Sequence, residues 1–139
     1  MNNSLLIAVD FDGTIVEDGY PKIGKPMPFA IETLKMIVKD GHRIVLWTYR
    51  HGEKLEEAVN FLKSNNVEIY AVNKSFPEEK FTTNVASRKI NADLFVDDRN
   101  FGGFPGWGVI YQNLNGETNE HLKKPKNNIL NIFKKRIVK

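Results

Sequence analysis

The sequence predicts an α/β fold in which helices cover both faces of a parallel sheet of about five strands. Short, continuous apolar runs such as Leu5 to Val9 are typical of strands that are buried on both faces. Stretches with apolar residues at helical spacing lie between these runs. Because strands that alternate with helices are joined by right-handed crossovers, the predicted architecture is a three-layer, Rossmann-like sheet.

The individual elements follow from local signals along the chain. After the first strand, a helix is expected to begin near Pro28, since proline suits the first turn, and to end at Gly41. The next helix carries acidic residues in its first turns, which favours its N-terminal end, and it ends at Asn65. A short helical segment is expected at 84–90 and a basic amphipathic helix or tail at 121–139. The predicted strands are 5–9, 44–47, 67–72, 92–96 and 109–111.

The segment 17–28 is expected to form an ordered hairpin or flap. It contains glycine at 19 and 24 and proline at 21, 26 and 28, a composition that interrupts both helices and strands. Since it follows the first strand directly, the flap should lie beside the residues that end this strand.

Length, composition and charge favour a single domain with a basic tail. The chain has 139 residues, of which 41% are hydrophobic and 27% charged, as in an ordinary globular domain. Seven of the 20 basic residues and none of the 17 acidic residues follow Glu120. We therefore expect one mildly acidic domain at 1–120, while the basic tail at 121–139 permits contact with nucleic acid or another anionic surface.

Several classes of protein are disfavoured by what the sequence lacks. Cysteine is absent, which excludes disulfide bonds, thiolate metal sites and a cysteine nucleophile. No apolar run approaches the roughly 20 residues that span a bilayer, and the N-terminus lacks the pattern of a signal peptide. A cytoplasmic location without membrane contact is therefore expected.

Acidic residues follow two of the predicted strands. Asp10 and Asp12 come after the first strand, and Asp97 and Asp98 come after the fourth. Ligands bind at the carboxyl ends of the strands in parallel sheets, and the second strand brings Thr48 to the same edge. Four carboxylates without cysteine or clustered histidine form a hard oxygen site, for which Mg²⁺ is the natural cation. Because magnesium usually works beside a phosphate, the site indicates phosphoryl chemistry.

Asp10 and Asp12 are expected to be neighbours, because residues alternate sides along a strand. Two carboxylates about 4 Å apart repel by roughly 4 kcal/mol at an effective dielectric constant near 20, so a divalent cation or a shared proton is needed. Gly13 permits a sharp turn here, and Thr14 offers a hydroxyl and a backbone donor to an anion.

These residue types permit phosphoryl transfer in two steps. One carboxylate attacks phosphorus to form an acyl-phosphate, and a second carboxylate protonates the leaving oxygen and later deprotonates water. A hydroxyl such as that of Thr48 and an ammonium such as that of Lys89 would balance the charge on the transferring group.

The motif from Asp10 to Thr14, Asp-x-Asp-x-Thr after a hydrophobic strand, resembles the signature of the haloacid dehalogenase (HAD) superfamily. The resemblance covers residues 5–112 and comprises four motifs in order. It implies that Asp10 is the nucleophile and Asp12 the general acid/base, with the backbone carbonyl of Asp12 joining Asp10 on Mg²⁺. It also implies that Thr48 binds the phosphoryl group.

The third and fourth motifs extend the resemblance. Lys89, eight positions before Asp97, is similar to the third-motif lysine, and Asp97 and Asp98 resemble the acids that bind magnesium. The rival candidates for the third motif are Lys74, Lys80 and Arg88. No gap between the motifs has room for a large cap, so the resemblance implies a HAD-like catalytic domain at 1–120 of the minimal-cap type, which leaves a homo-oligomer possible.

The predicted function is a Mg²⁺-dependent phosphomonoester hydrolase acting through an aspartyl-phosphate on Asp10. A small phosphorylated metabolite is the favoured substrate, and Thr14, Arg50 and Arg99 are candidates for contacts with it.

Other functions stay open. One is a nucleic-acid end-processing phosphatase or binding protein that uses the basic tail. Another is a receiver-like phosphoacceptor, although the order of the acids along the chain is reversed relative to such proteins. A dehalogenase is disfavoured by Asp12, because cleaving a carbon–halogen bond needs no acid to protonate a halide.

Overall fold

The computed structural model describes residues 3–116, and within them four parallel strands form one sheet. The strands are β1 (Leu6–Val9), β2 (Arg43–Leu46), β3 (Ala71–Val72) and β4 (Leu94–Val96), in the spatial order β3-β2-β1-β4. Strand β1 pairs with both β2 and β4, so that Ile7 lies opposite Ile44 on one side and Leu94 on the other. The central strand therefore ends between the ends of two neighbours.

Three helices occur in the described residues: α1 (Ala30–Lys39), α2 (Gly52–Ser64) and α3 (Trp107–Leu114). Together with the parallel sheet they form an α/β fold with a Rossmann-like layout, as the alternating sequence pattern predicts. The described sheet has four strands rather than about five.

The two faces of the sheet are covered differently. The face with Ile7 and Val9 packs against buried residues of all three helices. The opposite face, with Leu6 and Ala8, packs against a smaller cluster that includes Ile90 and no residue of these helices. Within residues 3–116 helices therefore cover one face, which differs from the predicted three-layer arrangement.

The second face lacks a helix because the connection from β3 to β4 is irregular. A short helix is predicted at 84–90, but the structure has only a turn, in which the amides of Val85 and Ala86 both donate to the carbonyl of Thr82. Asn, Val and Ser are weak helix formers, and so short a segment does not offset the cost of helix nucleation. Strand β3 is also shorter than predicted, since only Ala71–Val72 pair with β2.

The predicted strand at 109–111 is wrong, because these residues lie within α3. Trp107, Ile110, Tyr111 and Leu114 recur at helical spacing, and all four contact the main core. A window of three apolar residues conceals this longer period, which becomes visible only when Trp107 and Leu114 are included.

The segment 17–28, which we call the flap, forms a closed loop beside the end of β1. Val16 and Pro26 pair antiparallel at its base, and the amide of Glu17 donates to the carbonyl of Lys25 at 2.7 Å. A Cβ on Gly24 would overlap the carbonyl of Glu17, so glycine is needed for the two arms to approach.

No helix in residues 3–116 is long and apolar enough to cross a membrane. The predicted basic helix or tail at 121–139 lies outside the described residues, and so does the proposed boundary after residue 120.

Candidate functional site

Three carboxylates converge at the carboxyl end of the sheet. Asp10 follows β1 directly, and Asp97 and Asp98 follow the neighbouring strand β4. One carboxylate oxygen from each residue lies within 4.8 Å of the other two, and we call these three residues the acidic cluster. The amide of Asp10 donates to the carbonyl of Val96 at 2.9 Å, which holds the two strand ends side by side.

The turn after β1 packs closely against the acidic cluster. The hydroxyl of the buried Thr14 lies 3.3 Å from Oδ2 of Asp10 and 3.2 Å from Oδ1 of Asp98. It also accepts a hydrogen bond of 3.0 Å from the Asp98 amide. Since the hydroxyl has one hydrogen, it donates to only one of the two carboxylates at a time.

Glycine is required at the tightest point of this turn. Gly13 has a φ of 83°, and a Cβ at this position would overlap the carboxylate of Asp98. Any side chain would therefore push the two strand ends apart, besides being strained in this backbone conformation.

Crowding of the acids changes the protonation of Asp10. The pKa of Asp10 is raised from 3.8 to about 7. Burial is the largest cause, the charges of Asp97 and Asp98 act in the same direction, and a backbone hydrogen bond at Phe11 opposes them. Without a cation, a large fraction of the molecules therefore carries a proton on Asp10 at neutral pH.

The acidic cluster fits a small, hard divalent cation. Its donors are carboxylate oxygens at the ends of two adjacent strands, which is the ligand type that Mg²⁺ prefers. A cation there would offset both burial and the charges of Asp97 and Asp98, which together raise the pKa of Asp10, and so favour its ionised form.

Asp12 lies two residues after Asp10 but in a different electrostatic environment. Its two carboxylate oxygens accept hydrogen bonds of 2.7 Å each from Nε and Nη2 of Arg50. Arg50 is only 1% exposed, and the Asp12 side chain is 17% exposed. The hydrogen bonds that Arg50 donates to Asp12 raise the pKa of Arg50 above its ordinary value in spite of burial. Because its side chain is paired in this way, Asp12 is not part of the acidic cluster, and the role of its backbone carbonyl at a metal stays a prediction.

Thr48 follows β2 at the same edge of the sheet. Its amide donates to Oδ1 of Asn73 at 2.8 Å, and its hydroxyl oxygen accepts a hydrogen bond of 3.1 Å from the Arg50 amide. The hydroxyl keeps its own hydrogen to donate to an anion.

A cavity of about 790 Å³ lies over these residues. This volume is typical of small-ligand sites and is larger than a phosphate group alone would fill. Asp10, Asp12, Thr48 and Asp97 line it, and the aromatic residues Tyr20, Trp47 and Tyr49 line it as well.

The predicted cationic residues lie in three different situations. Arg99 is exposed and lines the cavity, so its side chain is accessible to an anion there. Arg50 also lines the cavity but is buried and paired with Asp12. Lys89 is exposed, does not line the cavity, and holds its ammonium 5.7 Å from the centroid of the Phe95 ring. Its assignment to the third motif stays a prediction.

Two supporting residues escape sequence reasoning. Asn73, with a φ of 51°, accepts from the Thr48 amide, and the buried Trp107 donates from Nε1 to the carbonyl of Thr14 at 2.8 Å. A polar residue directly after β3 was the available signal for Asn73, because asparagine tolerates the left-handed conformation. Trp107 has no such signal, since its partner is 93 positions away.

No protein-family model matches the sequence, and no curated protein matches it. A solved structure is similar, that of a conserved protein coded by a locus from Bacteroides thetaiotaomicron, with 51% sequence identity and a TM-score of 0.78. The match covers 83% of this chain and 93% of that chain. That protein carries no functional name, so the similarity supports the fold and leaves the activity to be argued from the site.

Proposed function

This chain belongs to the same family as the conserved Bacteroides thetaiotaomicron protein, and we propose for it the function of a Mg²⁺-dependent phosphomonoester hydrolase of HAD type. The observation that carries the proposal is the convergence of Asp10, Asp97 and Asp98 within 4.8 Å at the edge of a cavity. Half-buried acids placed this closely repel one another, so their arrangement is best explained by a function that needs them together.

Asp10 is the proposed nucleophile. It ends the central strand and lines the cavity, where an oxygen of its carboxylate can reach phosphorus. Its attack forms a P–O bond to the carboxylate and breaks the bond between phosphorus and the leaving oxygen, which yields an aspartyl-phosphate. The attack requires the ionised carboxylate, and Mg²⁺ bound by the acidic cluster would favour that form and polarise the phosphoryl group.

Asp12 is the proposed general acid/base. It lines the same cavity and is accessible from it while Arg50 fixes its orientation. Asp12 enters the first step in its protonated form, gives this proton to the leaving oxygen and becomes the ionised partner of Arg50. In the second step the Asp12 carboxylate takes a proton from the water that hydrolyses the aspartyl-phosphate, which restores the protonated form. Inorganic phosphate is released and Asp10 and Asp12 return to their initial states.

Thr48 and Arg99 are the proposed contacts for the phosphoryl oxygens and the rest of the substrate. The Thr48 hydroxyl oxygen accepts from the Arg50 amide, the Thr48 backbone amide donates to Asn73, and Arg99 is exposed at the cavity. A cavity of about 790 Å³ supports a small phosphorylated metabolite as substrate.

The test is phosphate release from a panel of phosphomonoesters with Mg²⁺ or with EDTA. The panel contains sugar phosphates, nucleotides, phosphorylated oligonucleotides and an aryl phosphate. We expect Mg²⁺-dependent turnover that falls about 10³-fold or more in Asp10→Asn. Asp40→Asn is the matched control, because Asp40 ends α1 away from the cavity and an amide oxygen can still accept from Tyr111.

Other outcomes would overturn the proposal. Turnover that persists in EDTA or in Asp10→Asn would remove the metal or the nucleophile from the mechanism. Stable phosphate on Asp10 without turnover would favour a receiver-like phosphoacceptor. Activity restricted to oligonucleotides, with steep loss at high salt, would favour nucleic-acid end processing.

A further inference from the structure

Arg50 is a buried cation whose hydrogen-bonding capacity is fully used by the protein. A guanidinium has five N–H donors. Those of Arg50 that do not bind Asp12 are directed to three backbone carbonyls, those of Pro21 at 3.2 Å, Lys22 at 2.9 Å and Lys54 at 3.3 Å. With Asp12 taking the remaining two, no donor of Arg50 is left for a substrate oxygen in this structure.

Arg50 joins three parts of the chain through the five hydrogen bonds of its guanidinium. Asp12 belongs to the turn after β1, Pro21 and Lys22 belong to the flap, and Lys54 lies in the first turns of α2. The guanidinium also lies between two aromatic rings, with its central carbon 5.1 Å from the Phe11 centroid and 5.3 Å from the Tyr20 centroid. Such stacking on both faces suits the planar group of arginine and not the ammonium of lysine.

The tip of the flap depends on this single side chain for its polar contacts. In the described part of the chain, the hydrogen bonds from 18–24 to the rest of the protein are those between Arg50 and the carbonyls of Pro21 and Lys22. The side chains of Asp18 and Tyr20 line the cavity from the flap side. Movement of the flap away from the cavity would therefore remove two of the oxygens that accept from Arg50 and loosen the guanidinium that holds Asp12.

We propose that Arg50 is a positioning residue that couples the docking of the flap to the orientation of the Asp12 carboxylate. This inference rests on the proposed function for its catalytic consequence. A docked flap forms one wall of the cavity and completes the set of oxygens around the guanidinium, which fixes Asp12 where a leaving oxygen receives its proton. The structural coupling itself does not depend on any activity.

The catalytic consequence is tested with two substrates that differ in their need for a general acid. An alkyl phosphate releases an alkoxide that must be protonated, whereas 4-nitrophenyl phosphate releases a stable phenolate. Arg50→Lys keeps the positive charge but loses the planar guanidinium that donates two hydrogen bonds to Asp12. In this variant we expect kcat/KM for the alkyl phosphate to fall roughly ten to a hundred times more than kcat/KM for the aryl phosphate. A residue with a merely structural role would lower both values by the same factor.

A double-mutant cycle shows whether Arg50 acts through Asp12. Asp12→Asn should give the same selective loss on the alkyl phosphate, and adding Arg50→Lys to it should cause little further loss. Tyr20→Ala, which removes one stacking ring, should shift the ratio of the two substrates in the same direction by about threefold or more. Tyr20→Phe keeps the ring over Arg50 and should keep the wild-type ratio.

The coupling is tested independently by amide hydrogen exchange. The amides of Glu17 and Met27 report on the flap, since they donate to Lys25 and Ile15 across its base. We expect both amides to exchange about tenfold faster or more in Asp12→Asn and in Arg50→Lys, with unchanged rates for the core amides of α1. Unchanged rates at Glu17 and Met27 would overturn the coupling. If the two variants exchange faster but the wild type hydrolyses neither substrate, the coupling is supported and the proposed function is contradicted.

Discussion

Asp10 and Asp12 are two residues apart and point to the same cavity, yet their surroundings are opposite in charge. The carboxylate of Asp10 faces the acids Asp97 and Asp98, and the side-chain hydroxyl near it is the neutral one of Thr14. The carboxylate of Asp12 receives two short hydrogen bonds from the guanidinium of Arg50. Asp10 therefore lies in a region of excess negative charge, whereas Asp12 belongs to an ion pair whose charges cancel.

The difference separates two roles that the motif alone does not distinguish. A carboxylate among other carboxylates is suited to hold a cation and to react with an electrophile once the cation neutralises its neighbours. A carboxyl group held by the planar guanidinium of an arginine is suited to exchange a proton with the substrate or with water in a defined direction, giving it when protonated and taking it when ionised. Two acids of the same type thus acquire different chemistry from the residues that neighbouring strands and the flap bring to them.

The largest expected effect comes from neutralising each acid in turn. Asp12→Asn leaves the buried Arg50 without its counter-charge, so we expect the free energy of unfolding to fall by about 3 kcal/mol. Asp10→Asn removes a repelling charge, so in EDTA at pH 7.5 we expect it to leave the free energy of unfolding unchanged or higher. Urea unfolding of both variants beside Asp40→Asn, which should differ from the wild type by less than about 0.5 kcal/mol, measures the contrast. Equal losses for the two variants would contradict the distinction between the sites.

The next effect is the pH dependence that Asp10 gives to stability. Below pH 3.8 Asp10 is protonated in both the folded and the unfolded chain, and it does not affect their balance. As the pH rises from 3.8 to about 7, the unfolded chain releases this proton first, so the free energy of unfolding falls and levels off above about pH 7. A shift of this size corresponds to about 4 kcal/mol in a dry site, and to about 2 kcal/mol after solvent screening of a partly exposed group.

This pH effect is measured as a difference between wild type and Asp10→Asn in EDTA, because the other titrating groups cancel. The difference should grow from pH 4 to pH 7 and shrink when Mg²⁺ is added, since a bound cation replaces the proton and stabilises the folded state. Parallel stability curves for the two proteins would show that the acidic cluster does not hold Asp10 in its protonated form.

The acidic cluster could be predicted from the sequence, because the ends of the strands determine where its three residues lie. Continuous apolar runs locate β1 and β4, and in a parallel sheet the residues that follow them meet at one edge. Asp10, Asp97 and Asp98 therefore converge as predicted. No comparable rule exists for Asp12, since strand alternation makes it a neighbour of Asp10 and says nothing of a partner 38 positions away.

The remaining differences arise where local patterns are short or where tertiary contacts decide. The sequence around Arg50 is typical of the exposed end of a strand, although the flap and Phe11 bury the Arg50 side chain. The segment 84–90 shows too few apolar positions to distinguish a helix from a turn. In both places the outcome depends on what packs over the segment, which the sequence does not encode locally.

The smallest expected effect comes from removing the neutral hydroxyl of Thr14, which we compare with the charged guanidinium that donates to Asp12. Thr14→Val keeps the shape of the buried side chain but removes the hydroxyl that lies between Asp10 and Asp98 and that accepts from the Asp98 amide. We expect a loss of about 1.5 kcal/mol in the free energy of unfolding, because the donor is a neutral hydroxyl although its acceptors are carboxylates, against about 3 kcal/mol for Asp12→Asn. Thr33→Val is the matched control, because Thr33 is equally buried in α1 and its hydroxyl has no side-chain hydrogen bond among the described contacts, so this substitution should cost little. If Thr14→Val cost as much as Asp12→Asn, a single hydroxyl would be holding the acidic cluster together as strongly as the guanidinium holds Asp12, and charge would not be what distinguishes the two acids.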